Sequence, residues 1–323
     1  MSNFWLSLKK PIVGLAPMDG VSDEPMRQVQ ITIAKPDVIY TEFISAEGFV
    51  KKPEAFKLKL AFKENERPIV AQIFGSTPTA FAQTVSALAE MGFDGIDINM
   101  GCPARSILEK KGGGALIGNY SLASAILENS LTALAKAKIK LPLSVKTRIG
   151  QKKPITKEWI GFLARYKLAE ITLHGRLLTQ GLSGPVNWEE IKKGAEIAHQ
   201  KDIIFLGNGG IRSLAEAREK IGQTRVDGVL IAQAALGNPW IFRENYSPSS
   251  EEILETIWHH AQLTAKFYPS KKFVTILKHF SWYPRQFPES KKLKLALLQT
   301  RSLEEVKEVI SKFKVVASEA KIC

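Results

Sequence analysis

The sequence predicts an α/β protein: a (β/α)8 barrel of the TIM type followed by a small C-terminal all-helical domain. Three observations carry that expectation. Eight short apolar, β-branched runs recur along the chain as far as Ala232. Amphipathic stretches with helical spacing lie between most of them. No GxGxxG follows the first run, as a doubly wound sheet would normally require.

In chain order the expected strands are residues 12–17, 38–45, 68–75, 95–99, 143–148, 170–175, 203–207 and 228–232. One intervening helix is expected at 79–91, where Phe81, Val85, Leu88 and Ala89 share a face. Another is expected at 214–221, with Ser213 as its N-cap. After Phe242 the pattern changes. Residues 247–252 (Ser-Pro-Ser-Ser-Glu-Glu) read as a linker entering a capped helix, and no further strand is expected. The sequence thus divides into a barrel domain, 1–242, and a helical domain, 243–323.

Composition narrows the function. The chain has 323 residues, 45% hydrophobic and 24% charged, as a globular protein does. No apolar run is long enough to span a bilayer. The N-terminal apolar patch precedes its lysines, the reverse of a signal peptide, so the expected location is the cytoplasm. Two cysteines, Cys102 and Cys323, make neither a disulfide framework nor a zinc site. Of five histidines only His259 and His260 are adjacent, and neighbours on a helix point apart, so no metal is expected.

The net charge is +13. Residues 259–301 hold nine basic side chains against a single acid, Glu289, a net +8 of that total. Phe267, Tyr268, Phe273, Phe280, Trp282, Tyr283 and Phe287 are interleaved with them. Cations meet phosphates and aromatic faces stack bases, which points to nucleic acid; the alternative is a helical bundle with an aromatic core and a solvated basic face.

In such barrels active sites form at the C-terminal strand ends. Polar residues gather there: Pro17-Met18-Asp19, Gln72, Asn99 with Cys102, Lys146 with Arg148, His174 with Arg176, and Asn208-Gly209-Gly210. Lys146 and Arg148 are two apart and share a face. A lysine in an apolar strand calls for an anionic or electron-rich partner. The Asn208-Gly209-Gly210 turn, leading into a helix, suits a phosphate, so a phosphorylated cofactor is expected there. With a reference pKa near 8.5, the Cys102 thiol is mostly protonated at neutral pH and can donate a proton.

Together these residues resemble the dihydrouridine synthase family, flavoenzymes that reduce specific uridines in transfer RNA. The resemblance runs from about Val13 to Ile310. It rests on Ala16-Pro17-Met18, Gln72-Ile73-Phe74-Gly75, Asn99-Met100-Gly101-Cys102-Pro103, Gly113-Gly114-Ala115-Leu116, Val145-Lys146-Thr147-Arg148, His174-Gly175-Arg176, Gly207-Asn208-Gly209-Gly210-Ile211, Gly237-Asn238-Pro239-Trp240, and Lys278-His279-Phe280 with Trp282-Tyr283. The resemblance implies a bound FMN and NADPH as reductant. Pro17, Met18, Asp19, Gln72, Lys146, His174, Asn208, Gly209 and Gly210, with Ala232 and Gln233, are implied to hold FMN. Asn99, Arg148, Arg176, Lys278 and Lys294 are implied to meet the transfer RNA. Hydride from flavin N5 to uracil C6 is implied, with Cys102 giving the proton to C5. The target base must leave its stack to reach the barrel mouth.

The chain departs from the family's pattern in three places. Ala232-Gln233 stand where the family usually has Gly-Arg beside the flavin phosphate. Leu177 and Leu182 replace a threonine and a tyrosine, and Lys294 replaces an arginine. Two other functions stay open on sequence alone: a non-catalytic RNA-binding paralogue with a weakened flavin site, and a flavin barrel acting on a small molecule.

Overall fold

The computed structural model describes residues 3–137 and 140–319; Cys323 lies outside the described residues. The strands are β1 (Ile12–Leu15), β2 (Ile39–Tyr40), β3 (Ile44–Ser45), β4 (Ile69–Phe74), β5 (Gly95–Met100), β6 (Leu143–Arg148), β7 (Glu170–His174), β8 (Ile204–Asn208) and β9 (Gly228–Ile231). All pair in parallel, in the order β2-β1-β9-β8-β7-β6-β5-β4-β3, and β2 also pairs with β4, which closes the sheet into a barrel. The expected second strand is therefore two short pieces. β2 bridges β1 and β4, and β3 only prolongs the edge of β4. The break falls at Thr41, whose hydroxyl donates to the Glu42 carbonyl at 2.9 Å and accepts from the Gln72 backbone N–H at 3.2 Å. Counted by position, the barrel has eight strands, as the sequence predicts.

The expected helices form with their expected faces. Pro78–Glu90 opens with proline at its first position, where no N–H is needed, and buries Phe81, Val85, Leu88 and Ala89. Leu214–Thr224 starts at Ser213, whose hydroxyl accepts from the Glu216 N–H at 3.1 Å. No helix among the described residues is long and apolar enough to cross a membrane.

The chain divides into two compact units, Met1–Gly20 with Pro36–Ala232, and Val21–Lys35 with Gln233–Cys323. This departs from the expected 242/243 cut in two ways. Helix Glu24–Ile33, which follows β1 in sequence, belongs to the second unit, and so do residues 233–242. Hydrogen bonds give the reason. Gln30 Nε2 donates to the Pro239 carbonyl at 2.7 Å, Arg243 Nε to the Ile33 carbonyl at 2.8 Å, and the Tyr268 hydroxyl to Asp23 Oδ2 at 3.0 Å. Trp240 joins the apolar core of this unit.

The second unit is helical among the described residues, built on Ser250–Phe267, Ser290–Gln299 and Leu303–Glu319. Its core holds Ile253, Ile257, Phe273, Phe280, Tyr283, Phe287, Leu293 and Val306. Four of the seven interleaved aromatics are thus core and unavailable for stacking on bases; Phe267, Tyr268 and Trp282 are half-buried. The cations fare differently. Lys266, Lys271, Lys272, Arg285, Lys291, Lys292, Lys294 and Arg301 are exposed, and Lys278 is half-buried. Asp23, His260 and His279 place one potential metal-ligand atom each within 4.8 Å of one another, a grouping the adjacent-histidine argument does not reach. His260 Nδ1 meets the Tyr283 hydroxyl at 2.9 Å. Asp23 accepts from the Met26 N–H and from Tyr268, whereas His279 Nε2 is buried with no hydrogen-bond partner among the described residues.

The first long helix of this unit has both halves of a capping box. The Ser249 hydroxyl accepts from the Glu252 N–H at 3.2 Å, and Glu252 Oε2 accepts from the Ser249 N–H at 2.8 Å. Ser249→Ala is expected to cost the unit about 1 kcal/mol, read as a lower urea midpoint at unchanged slope.

Candidate active site

Side chains alternate along a strand, so residues two apart share a face. Applied to the barrel, that period lines up Asp97 with Asn99, Ser144 with Lys146 and Arg148, and Glu170 with Thr172 and His174. Strand register then sets them side by side: Gln72 beside Asp97, Asn99 beside Lys146, Arg148 beside His174, and His174 beside Asn208. The upper members are the residues expected at the strand ends. The lower members, Asp97, Ser144, Glu170 and Thr172, are a buried polar layer beneath the strand ends.

Cys102 sits two residues beyond the end of β5, half-buried. Asn99 Oδ1 accepts from the Gly101 N–H at 3.0 Å and the Cys102 N–H at 2.9 Å, which fixes the turn. The Cys102 carbonyl accepts from the Gly114 N–H at 3.0 Å. A Cβ on Gly114 would lie 2.1 Å from Leu178 Cδ1 and 3.0 Å from that carbonyl, so a larger residue here would displace Leu178 and crowd the cysteine loop. Arg148 is a clamp: its Nε donates to the Gly101 carbonyl at 2.7 Å, and its Nη1 to the carbonyls of Leu177 and Gly181 at 3.2 and 2.7 Å. It thereby ties the cysteine loop to the loop after β7.

The electrostatics follow from burial. Burial pushes the Cys102 thiol up; the nearby Asp19 carboxylate adds to this, and Arg148 and Lys146 oppose it. Burial pulls Lys146 down to about 8, helped by the charge of Arg148. Its ammonium donates to Asn208 Oδ1 at 3.0 Å, a neutral acceptor. His174 is held neutral, well below the usual imidazole range, by burial and then by Arg148, Lys146 and Arg176. Arg176 Nη1 lies 3.3 Å from His174 Nε2, and its Nε donates to the Gly184 carbonyl at 2.9 Å. Deeper in the barrel burial raises Asp97 to about 6 and Glu170 well above the usual carboxylate range.

Gln72, Asn99, Cys102, Lys146, Arg148, His174, Arg176 and Asn208 therefore form one connected set. Pro17 and Met18 are half-buried just after β1, and Asp19 is exposed and ion-paired to Lys59 at 2.5 Å. Ala232 is half-buried after β9, and Gln233 is exposed in a short turn. Lys278 and Lys294 belong to the helical unit.

After β8 the chain turns through Gly209 and Gly210 at φ +116° and +77°. A Cβ on Gly209 would also lie 2.7 Å from the His174 ring. Gly209→Ala is therefore expected to cost about 1–3 kcal/mol in backbone strain, plus displacement of His174, read as a lower melting temperature.

The geometry can be set beside known proteins. The family model for dihydrouridine synthases matches residues 14–318. A relative from Staphylococcus aureus named "Probable tRNA-dihydrouridine synthase" is 31% identical over 320 residues, covering 96% of this chain and 95% of that one. "Probable tRNA-dihydrouridine synthase 2" of Bacillus subtilis is 32% identical over 321 residues, covering 96% of each. A third, from Staphylococcus epidermidis, is 30% identical over 320 residues. A barrel with a cysteine loop after its fourth position, a helical second unit, and a family match across nearly the whole length lead to one conclusion: the chain belongs to the dihydrouridine synthase family.

Proposed function

We propose that the protein is a tRNA-dihydrouridine synthase, reducing the C5=C6 bond of specific uridines in transfer RNA with bound FMN and NADPH as reductant. The observation that carries the reading is the Cys102 thiol: half-buried, raised by burial, and held on a turn fastened by Asn99 and Arg148. A neutral thiol so placed is a general acid.

The residues at the strand ends fit a flavin mononucleotide. Lys146 is a half-buried cation whose hydrogen bond goes to a neutral amide oxygen, and it suits an electron-rich ring edge. The residues of the turn at 209–210 carry no side chains of their own to shield their N–H groups, which suits a phosphate. Pro17, Met18, Asp19, Gln72, Lys146, His174, Asn208, Gly209 and Gly210 are the residues assigned to hold it. When bound, FMN supplies the hydride that reaches uracil C6.

The chain's own groups do the rest. Cys102 Sγ gives its proton to C5. Asn99 Nδ2 has one N–H on Gln72 Oε1 at 3.0 Å, and its second N–H is the donor for a uracil carbonyl. Arg148 holds the cysteine loop, and Arg176 adds a cation to the mouth. The exposed lysines and arginines of the helical unit, Lys294 among them, together with the half-buried Lys278, meet RNA phosphates. Incubation of unmodified transfer RNA with the protein, FMN and NADPH tests the reading: dihydrouridine in the digested RNA supports it. Its absence with RNA still bound favours a non-catalytic RNA-binding protein, whose weakened flavin site would trace to Ala232-Gln233.

A further inference from the structure

Below the strand ends runs a chain of hydrogen bonds that begins at a buried carboxylate. Asp97 Oδ1 accepts from the Ser144 hydroxyl at 2.7 Å, and Asp97 Oδ2 accepts from Gln72 Nε2 at 2.7 Å. Gln72 Oε1 accepts from Asn99 Nδ2 at 3.0 Å. Asn99 Oδ1 accepts from the N–H groups of Gly101 and Cys102. Asp97 and Gln72 are fully buried, and Asn99 is 7% exposed.

The direction of every link is forced. An ionised carboxylate only accepts, and a backbone N–H only donates. Each carboxamide between them has one accepting and one donating end, which differ in shape too little for packing to choose between them. Asp97 must receive the amino end of Gln72. That turns the Gln72 oxygen toward Asn99, which must then offer its own amino group. The Asn99 oxygen is left facing the cysteine loop, where two donors need it. An acceptor at one end and two donors at the other thus fix both amide orientations. The same orientation leaves the second Asn99 N–H available for a base.

We propose that Asp97 is a positioning residue: it anchors the Gln72 amide and, through Asn99, the pose of the loop that carries Cys102. The proposal rests on the dihydrouridine synthase reading of the site. It separates the acceptor role of Asp97 from its charge. In Asp97→Asn the side-chain oxygen still accepts from Gln72, while the new amino group donates to the Ser144 hydroxyl, which can turn to accept. In Asp97→Leu no acceptor remains for Gln72 Nε2, and the Gln72–Asn99 pair is held only from the end at the cysteine loop.

The test compares these two variants in the full chain for dihydrouridine formation and for alkylation of Cys102 by iodoacetamide, with melting temperature as the folding control. Asp97→Leu is expected to lower kcat about tenfold or more with KM for transfer RNA near wild type. It is also expected to alkylate about threefold faster as the loop loosens. Asp97→Asn is expected to rescue both within about threefold. An unchanged alkylation rate in a folded Asp97→Leu overturns the proposal even where turnover falls, because the effect then bypasses the loop. A tenfold loss in Asp97→Asn overturns it too, since the charge and not the acceptor is then what matters; that arm decides alone if Asp97→Leu does not fold. Alkylation needs no RNA reduction. A wild-type protein that makes no dihydrouridine therefore fails the functional reading, while the alkylation comparison still judges the positioning role.

Discussion

Cys102→Ala is expected to bind transfer RNA as the wild type does and to form dihydrouridine about 10²–10⁴-fold more slowly, the usual loss on removing a positioned general acid. The basis is the placement of the thiol. Its backbone is held by the Asn99 carboxamide and by the Gly114 N–H, and burial keeps the sulfur protonated. Removing Sγ leaves those hydrogen bonds intact, because they involve only main-chain atoms of residue 102. The protein should therefore fold and load cofactor normally, and the loss should fall on turnover alone. The sign of the pH dependence follows from the raised thiol. An acid works only while protonated, so the wild-type rate should hold through neutral pH and fall as pH rises through the thiol's elevated pKa. Turnover by Cys102→Ala equal to wild type would move the proton donor elsewhere.

Lys146→Met is expected to weaken FMN binding by about 10- to 100-fold, the worth of roughly 1.5–3 kcal/mol for a hydrogen bond to a charged group. Lys146 lies at the centre of the site: its ammonium reaches Asn208, and its charge acts on Cys102, His174, Asp97 and Glu170. Methionine keeps the length and apolar character of the stem while removing the charge. Burial has already lowered Lys146 to about 8, so folding carries a cost for keeping this cation. Between pH 8 and the ordinary lysine range the unfolded chain binds more protons than the folded one at this residue. Its contribution to stability therefore improves as pH rises there. The variant should lack that rise. Flavin fluorescence titration measures the affinity, and unfolding at several pH values measures the linkage. An FMN affinity within twofold of wild type would remove Lys146 from the cofactor site.

The barrel was legible because its signals are local. Apolar runs of strand length alternate with amphipathic helices, and glycine turns punctuate them, so seven of the eight expected runs appear as single strands. The exception, 38–45, is broken by the Thr41 hydroxyl, which takes up backbone groups that a continuous strand would share with its neighbours. The amphipathic pattern of helix Glu24–Ile33 does not say what its face will meet. Only the bonds of Gln30 to Pro239 and of Arg243 to Ile33, more than two hundred residues apart, assign it to the second unit.

The site shows the same contrast. Cys102, Lys146, Arg148, His174 and Asn208 stand out as polar residues at apolar strand ends, and the register brings them together. Asp97 and Ser144 stand two residues before Asn99 and Lys146, and Glu170 four before His174, on the same faces of their strands. Nothing local marks them, because a polar residue inside an apolar strand has the same pattern whether or not it supports a site at the strand's end. Arg148 was expected to meet RNA, yet its guanidinium bonds three backbone carbonyls, a role that depends on loops whose course no local pattern foretells. In the tail, Phe273, Phe280, Tyr283 and Phe287 carry the spacing of a core and the composition of a stacking surface alike, and tertiary packing decides for the core.

The most direct test of the account is a single turnover without oxygen. The protein is loaded with FMN, reduced by NADPH, freed of excess reductant and mixed with unmodified transfer RNA while flavin absorbance and RNA composition are followed together. The account predicts that oxidised flavin returns in step with dihydrouridine, one for one, and that Cys102→Ala delays both. Flavin that stays reduced in the presence of bound transfer RNA, or is reoxidised with no dihydrouridine formed, would contradict it.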